Sequence, residues 1–362
     1  MSDTREIVII GGGPAGLSAA IEAADAGAKV LVIDENRRPG GQLFKQIHKF
    51  FGSKEHNAGI RGMDIGTYLL EETRRLNVEV WLDTPAVGVF AGGKVTVLRE
   101  GVTETVTAKK ILICTGAAEN AVHFPGWTLP GVMGAGAAQT MVNVNRVLPG
   151  SRILMIGSGN VGVIVAYQLM QAGAEVAGIV EGMPRIGAYG VHAAKIRRAG
   201  VPFLLEHTIV RAIGSDRVEQ AVIAQTRSWK PIPGTERVVD VDAICIAAGL
   251  RPLTELARMA GAEHAYIPEL GGWMPTHNEN MESTVPGIYV AGDTAGVEEA
   301  STAMEEGKLA GIDMAQSLGY LSEESADERK TAVRERLYAL RQGPFGERRM
   351  DAKDRILRGE AG

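Results

Sequence analysis

Gly11, Gly13 and Gly16 stand in the order Gly-x-Gly-x-x-Gly directly behind the apolar run Ile7-Val8-Ile9-Ile10. The first glycine of such a set permits a tight turn, the second lets backbone approach a pyrophosphate, and the third lets a helix pack on the strand. Pro14 and Ala15 complete the turn and open a helix expected to run to about Ala26. Its N-terminal N–H groups and partial positive charge suit phosphate oxygens. The next strand, residues 29–33, ends on Asp34 with Glu35 beside it, where a carboxylate can hold ribose hydroxyls. Strand, turn, helix, strand and acid in this order predict a dinucleotide site.

The pattern recurs 146 residues on, with Gly11 falling on Gly157. Ile153-Leu154-Met155-Ile156 leads into Gly157, Gly159 and Gly162, with Asn160 and Val161 inside the turn, a helix to about Ala172 and a strand over 175–180. The two units align without a gap as far as Glu181, which falls under Glu35 while Val180 falls under Asp34. A carboxylate here accepts from an NAD 2′-hydroxyl and repels a 2′-phosphate, so this unit is expected to take NAD(H) rather than NADP; Arg185 argues the other way. The competing reading is a nucleotide fold that only supports the first unit.

Other strand ends add to the pattern. Residues 111–114 run into Thr115 and Gly116, 243–246 into Ala247-Ala248-Gly249, and 284–291 into Gly292 and Asp293. A helix over about 298–318 follows. The loop behind Gly41 and Gln42 concentrates His48, His56, lysines and phenylalanines. An imidazole titrating near neutrality suits a proton acceptor beside a hydride donor, which makes His48 the candidate catalytic residue. The plainer reading is a basic surface loop holding a phosphate or a partner. Cys114 and Cys245, the two cysteines, lie in separate apolar strands and read as small buried hydrophobes. No metal site is expected, and His192 and His207 read as structural.

The elements that must position these residues belong to a chain of 362 residues, 45% hydrophobic and 22% charged, with a net charge of -5. That is the balance of a soluble two-domain protein. The acidic balance argues against a nucleic-acid footprint. The uncharged stretches 120–145 and 153–174 carry glycine turns and prolines that a bilayer would leave unpaired, so no membrane span is expected. The polar N-terminus lacks a secretory signal, and the cytoplasm is the expected compartment.

Gly11–Gly16, Gly40-Gly41-Gln42, Cys114-Thr115-Gly116 and Gly292-Asp293 together resemble the two-dinucleotide-binding-domain flavoproteins, the thioredoxin-reductase-like class. Residues 124–132, Gly136-Ala137-Ala138-Gln139 and Gly271-Gly272-Trp273-Met274-Pro275 resemble more narrowly the flavoprotein subunits of hydrogen cyanide synthase, octopine and nopaline oxidases, hydroxyproline dehydrogenases and the sarcosine oxidase alpha chain. The resemblance implies FAD in the first domain. Gly11, Gly13 and Gly16 would line its pyrophosphate, Asp34 or Glu35 its ribose, and Val87 would lie near the adenine. Gln42 would sit on the flavin side, Asp293 on the ribityl chain or adjoining phosphate, and the helix start near Ala300 at the ring's pyrimidine edge.

The expected architecture is α/β, with two Rossmann-like dinucleotide-binding domains. The FAD domain is discontinuous, 1–117 plus 266–320, with an NAD(P)-binding-like domain, 118–265, inserted. A charged helical tail, 321–362, carries Val333, Leu337 and Leu340 on a narrow stripe and is either a solvated surface helix or a docking arm. The resemblance further implies the electron-transferring subunit of an amine, imino-acid or opine dehydrogenase complex. As partners the resemblance implies a second flavoprotein subunit and a small 2Fe–2S protein. With no cysteine after Cys245 any iron–sulfur centre is expected on another subunit, and the lack of a CxxC pair argues against disulfide reduction by this chain. The alternatives are a stand-alone NADH-dependent reductase serving a ferredoxin-like or small-molecule acceptor, and a scaffold that keeps its nucleotide only to hold its fold.

Overall fold

The structure, a computed structural model, describes residues 4–50, 54–343 and 346–359. Residues 1–3, residues 51–53 of the His48 loop, and Pro344 and Phe345 in the tail lie outside the described residues. The chain divides into two compact units: Met1–Ala118 with Arg251–Gly362, and Glu119–Leu250.

The first unit begins with β1 (Arg5–Ile10), α1 (Pro14–Asp25), β2 (Val30–Ile33), α2 (Gly62–Arg75), β3 (Glu79–Trp81), β4 (Ala86–Phe90), β5 (Lys94–Arg99) and β6 (Val102–Ile113). β3, β2, β1 and β6 are neighbours in that order, and β1 is parallel to both β2 and β6. The uninterrupted Ile, Val and Leu runs of β2 and of the ends of β1 and β6 fit a parallel sheet buried on both faces. β6 serves two sheets. Its half from Ala108 onward pairs with β1, while residues 102–107, mostly polar and exposed, pair antiparallel with β5.

β7 (Ala117–Glu119) leads out of this unit. The second unit contains β8 (Val132–Gly134), α3 (Ala135–Asn143), β9 (Arg152–Ile156), α4 (Asn160–Gln171), β10 (Glu175–Glu181), α5 (Gly190–Arg198) and β11 (Phe203–Leu205). An antiparallel group follows, β12 (His207–Ile213), β13 (Gln220–Arg227), β14 (Lys230–Pro231) and β15 (Arg237–Asp240), and then β16 (Ala243–Ile246). The main sheet has the order β11-β10-β9-β16-β8, and every pairing in it is parallel.

β17 (Leu250–Pro252) leads back to α6 (Glu255–Met259), β18 (His264–Ile267), β19 (Gly272–Pro275), β20 (Ile288–Val290), α7 (Ala300–Ser317), α8 (Glu323–Leu340) and α9 (Glu347–Leu357). β20 pairs parallel with β6 and extends the first sheet. The stretch from Arg251 to residue 265, read from sequence with the insert, sits in the first unit because Leu256, Ala257 and Ala262 are buried in its core. The tail sits there too. Val333 and Leu337 join the same core, Leu340 is only half-buried, and Ala352 and Ile356 pack with Ala265, Ile267, Leu270 and Met274. Among the described residues, no helix is long and apolar enough to cross a membrane.

Candidate dinucleotide sites

Gly11 sits at φ +109°, and a side chain there would collide with the Cys114 carbonyl; one at Gly16 would collide with the Gly11 carbonyl. Gly13 differs: nothing lies within 4 Å of the place its Cβ would take. α1 starts behind this opening with Pro14, no side-chain cap and no acid in its first turn. Its N-terminal N–H groups therefore lack an intrahelical partner, the arrangement that receives a phosphate. Asp34, 6% exposed, holds the turn from behind. Its Oδ2 accepts the Gly12 N–H at 2.7 Å, and its Oδ1 accepts the Asn36 N–H and Nδ2 at 2.8 and 2.9 Å. Glu35 is exposed. The following loop folds back on the turn, the Gly40 N–H donating to the Gly12 carbonyl.

Two further turns border this opening. α7 packs closely on α1, since a Cβ at Gly307 would strike the Ala15 carbonyl, and a Cβ on Gly292 would lie 3.0 Å from the Cβ of Ala15. Thr294 ties the turns together: its Oγ1 accepts the Gly116 N–H at 2.9 Å and lies 3.3 Å from the Thr115 Oγ1, which donates to the Leu253 carbonyl at 2.9 Å. Gly116, like Gly13, faces open space. Burial pushes the Asp293 carboxyl up to about 6; the Glu298 N–H it accepts opposes the shift, and the charges of Glu306 and Glu298 add to it.

In the second unit, Gly157 and Gly162 meet the same kinds of obstacle, and nothing lies within 4 Å of a Cβ on Gly159. α4 starts at Asn160 and Val161, again with no side-chain cap and no acid in its first turn. Glu181 Oε2 accepts from the Ser158 N–H at 3.0 Å and the Ser158 Oγ at 2.6 Å, and its Oε1 accepts the Met183 N–H. The register explains an apparent mismatch in the sequence alignment. Val176 faces Ile153, but Gly178 faces Leu154, so Ala177 is an extra residue in β10. This bulge brings Glu181, not Val180, to the place of Asp34. The loop beyond folds back here as well, through Gly187 N–H to Ser158 Oγ and Tyr189 N–H to Asn160 Oδ1. Beside Glu181, Gly182, Met183, Leu205, His207, Arg227 and Trp229 line a cavity of about 430 Å³.

The remaining expected residues are more scattered. His48 lies in its loop with its ring stacked on Phe50, centroids 6.1 Å apart. Gln42 is exposed in a 3₁₀ turn, Gly41–Lys45. Val87 is the extra residue of a bulge between Ala86 and Gly88, outside the β4–β5 register. Ala300 opens α7, but Glu299 and Thr302 close that helix start with a reciprocal capping box, which leaves less of its N-terminus for a ligand. The Cys114 thiol donates to the carbonyls of Ile10 and Gly11, and burial, helped by the Asp34 charge, pushes it far up. Burial and Glu119 push Cys245 up to about 12. Neither is a ready thiolate. Thr294 and Glu306, whose Oε2 accepts the Gly292 N–H at 2.9 Å, went unnoticed in the sequence, where a threonine after Gly-Asp and a glutamate inside a helix carry no spacing signal.

Residues 5–307 match the family of pyridine nucleotide-disulphide oxidoreductases, and the chain belongs to it. It is an FAD-dependent oxidoreductase of a family that binds FAD and NAD(P). It is 32% identical to an opine oxidase subunit of Agrobacterium tumefaciens over 86% of this chain and 65% of that protein. It is 30% identical to hydrogen cyanide synthase subunit HcnB of Pseudomonas aeruginosa over 92% of this chain and 76% of that one. The chain thus spans about two thirds to three quarters of the length of these relatives. Among solved structures, thioredoxin reductase of T. acidophilum aligns with a TM-score of 0.71 at 20% identity, over 86% of this chain and 98% of that one. L-proline dehydrogenase of P. horikoshii aligns at 0.70 and 24%, over 92% and 59%.

Proposed function

We propose that this chain is the electron-transferring flavoprotein subunit of a complex that oxidises an amine, imino acid or opine, with FAD in the first unit and NAD(H) in the second. The observation that carries it is a thioredoxin-reductase-like fold without a dithiol: both cysteines are buried, with their thiols pushed well above the physiological range. Neither thiol is placed for disulfide exchange, which favours another acceptor for the electrons. The names of the relatives, subunits of an oxidase and of a synthase, support a partner in that role. A small 2Fe–2S protein and a second flavoprotein subunit fit it, in the cytoplasm.

FAD, when bound, supplies two-electron redox chemistry. The chain's own residues bind and orient. The free N–H groups of α1 and the opening over Gly13 suit a pyrophosphate, Asp34 fixes the turn, and the open side of Gly116 with Asp293 suits the polar chain beyond it. His48 is the proposed proton acceptor on the substrate side. The intact Gly157–Gly162 turn and its anchor Glu181 favour a second reading, a stand-alone NADH-dependent reductase.

Anaerobic addition of NADH or NADPH to the purified chain separates the two readings. A flavin spectrum that neither nucleotide bleaches, with a second flavoprotein co-purifying, supports the complex. Rapid bleaching by NADH in the isolated chain transfers the argument to the reductase.

A further inference from the structure

The last two helices lie beyond the stretch that matches the family, yet they reach the Gly292–Asp293 turn through buried charges. That turn is a short 3₁₀ helix, Gly292–Ala295. Lys353, on α9 and 3% exposed at its side chain, donates to the Ala295 carbonyl and to Glu306 Oε1, both at 2.8 Å. Glu306, on α7, accepts the Gly292 N–H on its other oxygen. Lys353 and Glu306 thus grip the two ends of the turn and each other. Arg341, just past α8, completes the ring by donating to Glu306 Oε1 at 2.7 Å and Glu298 Oε1 at 2.6 Å.

Two cations from the tail answer two carboxylates at the turn. Burial pushes Glu306 up, but Lys353 and Arg341 outweigh it and hold its carboxyl below the usual range. A buried charge that loses its partner is left uncompensated, and in surroundings poor in water its field reaches well past contact distance. Neutral side chains could have held a turn. Charged ones also set the local potential.

We propose that Lys353 and Arg341 are positioning residues of the flavin site: Lys353 clamps the Gly292–Ala295 turn and, with Arg341, balances Glu306, thereby setting both FAD retention and the flavin's reduction potential. This rests on the reading of the first unit as the FAD site. The tail is then part of the cofactor site.

The test compares the full-length wild type with Lys353→Met, Glu306→Gln, the double variant Lys353→Met/Glu306→Gln, and Lys353→Arg. FAD affinity is read by absorbance and fluorescence, and midpoint potential by dye-linked titration. Lys353→Met leaves a net negative charge and should lower the potential; Glu306→Gln leaves a net positive one and should raise it. The double variant restores the balance and should return to the wild-type potential while binding FAD at least tenfold more weakly, because the clamp is gone. Lys353→Arg should stay near wild type in both respects. Single variants that shift the potential in the same direction, or not at all, overturn the proposal. If the singles do not fold, the charge-balanced double variant decides: unchanged FAD affinity, or a displaced potential, overturns it. A wild-type chain that binds no FAD would overturn the cofactor reading instead, a result visible before any variant is made.

Discussion

The Ser158 N–H donates to the Glu181 carboxylate at 3.0 Å, and one unit earlier the Gly12 N–H donates to Asp34 at 2.7 Å. In each unit the acid at the end of the second strand is spent first on the glycine turn itself. The turn is rigid before any ligand arrives, which lowers the ordering needed on binding.

Glycine positions separate binding from folding. Gly13 has φ −80°, which alanine adopts, and open space where the Cβ would go. Gly13→Ala should keep its unfolding temperature within a few degrees, a change under about 1 kcal/mol, and lose at least tenfold in FAD content. Gly16→Ala drives a Cβ into the Gly11 carbonyl and should lower stability by about 1–3 kcal/mol. Thermal unfolding and absorbance of the same preparations check both.

Glu181→Gln keeps the shape and removes the charge. It should loosen the second turn, with about 1–2 kcal/mol lost in a part-buried charge-assisted hydrogen bond. The dissociation constant for NAD(H) should rise about tenfold while the flavin spectrum stays as in wild type. Equilibrium binding with each nucleotide measures this, and a simultaneous loss of flavin would show that the two units are not separable in function.

Thiol chemistry should be silent. With Cys114 and Cys245 buried and held as thiols, iodoacetamide at pH 8 should label the native chain at a small fraction of its rate in denaturant. Cys245→Ala should turn over within twofold of wild type. Mass spectrometry of the alkylated chain and an assay of the variant test the point, and rapid native labelling would reopen the dithiol question.

His277 gives a pH dependence with a defined sign. Burial and the Lys353 charge push its imidazole down from the ordinary 6.5 to about 4. Between these values the unfolded chain binds the extra proton, so this residue's contribution to stability is lost as pH falls from about 6.5 to about 4. At 1.36 kcal/mol per unit the loss is about 3 kcal/mol. Asp293, raised to about 6, works in the opposite sense and is shared by both proteins in the comparison. Denaturant unfolding of wild type and His277→Asn at pH 7 and 4.5 should show the smaller acid loss in the variant.

Both turns were readable from sequence because their causes are local: an apolar run, three glycines and a helix start sit within ten residues of each other, as Ile7–Gly16 do. The misalignment of Val180 with Asp34 came from a single bulged residue, Ala177, which changes the register without changing the composition of the strand. Thr294 and the pairing of Glu306 with Lys353 and Arg341 depend on contacts between distant segments. A lysine in a charged tail looks solvated until the carboxylate it meets is known. The same holds for Arg251 to residue 265, whose Leu256, Ala257 and Ala262 join a core drawn from both the N-terminal and the C-terminal parts of the chain.

β20 pairs with residues 111–113 of β6, yet it is made only after the whole of Glu119–Leu250 has been synthesised. During translation the inserted unit is contiguous and can condense as it emerges, whereas the first sheet waits with an unpaired edge of isoleucine and leucine. Closing that sheet joins partners far apart in the chain, which slows the step. Newly made chains are therefore most prone to self-association in the interval between the two halves, and a circular permutant that brings β20 beside β6 should refold faster and aggregate less.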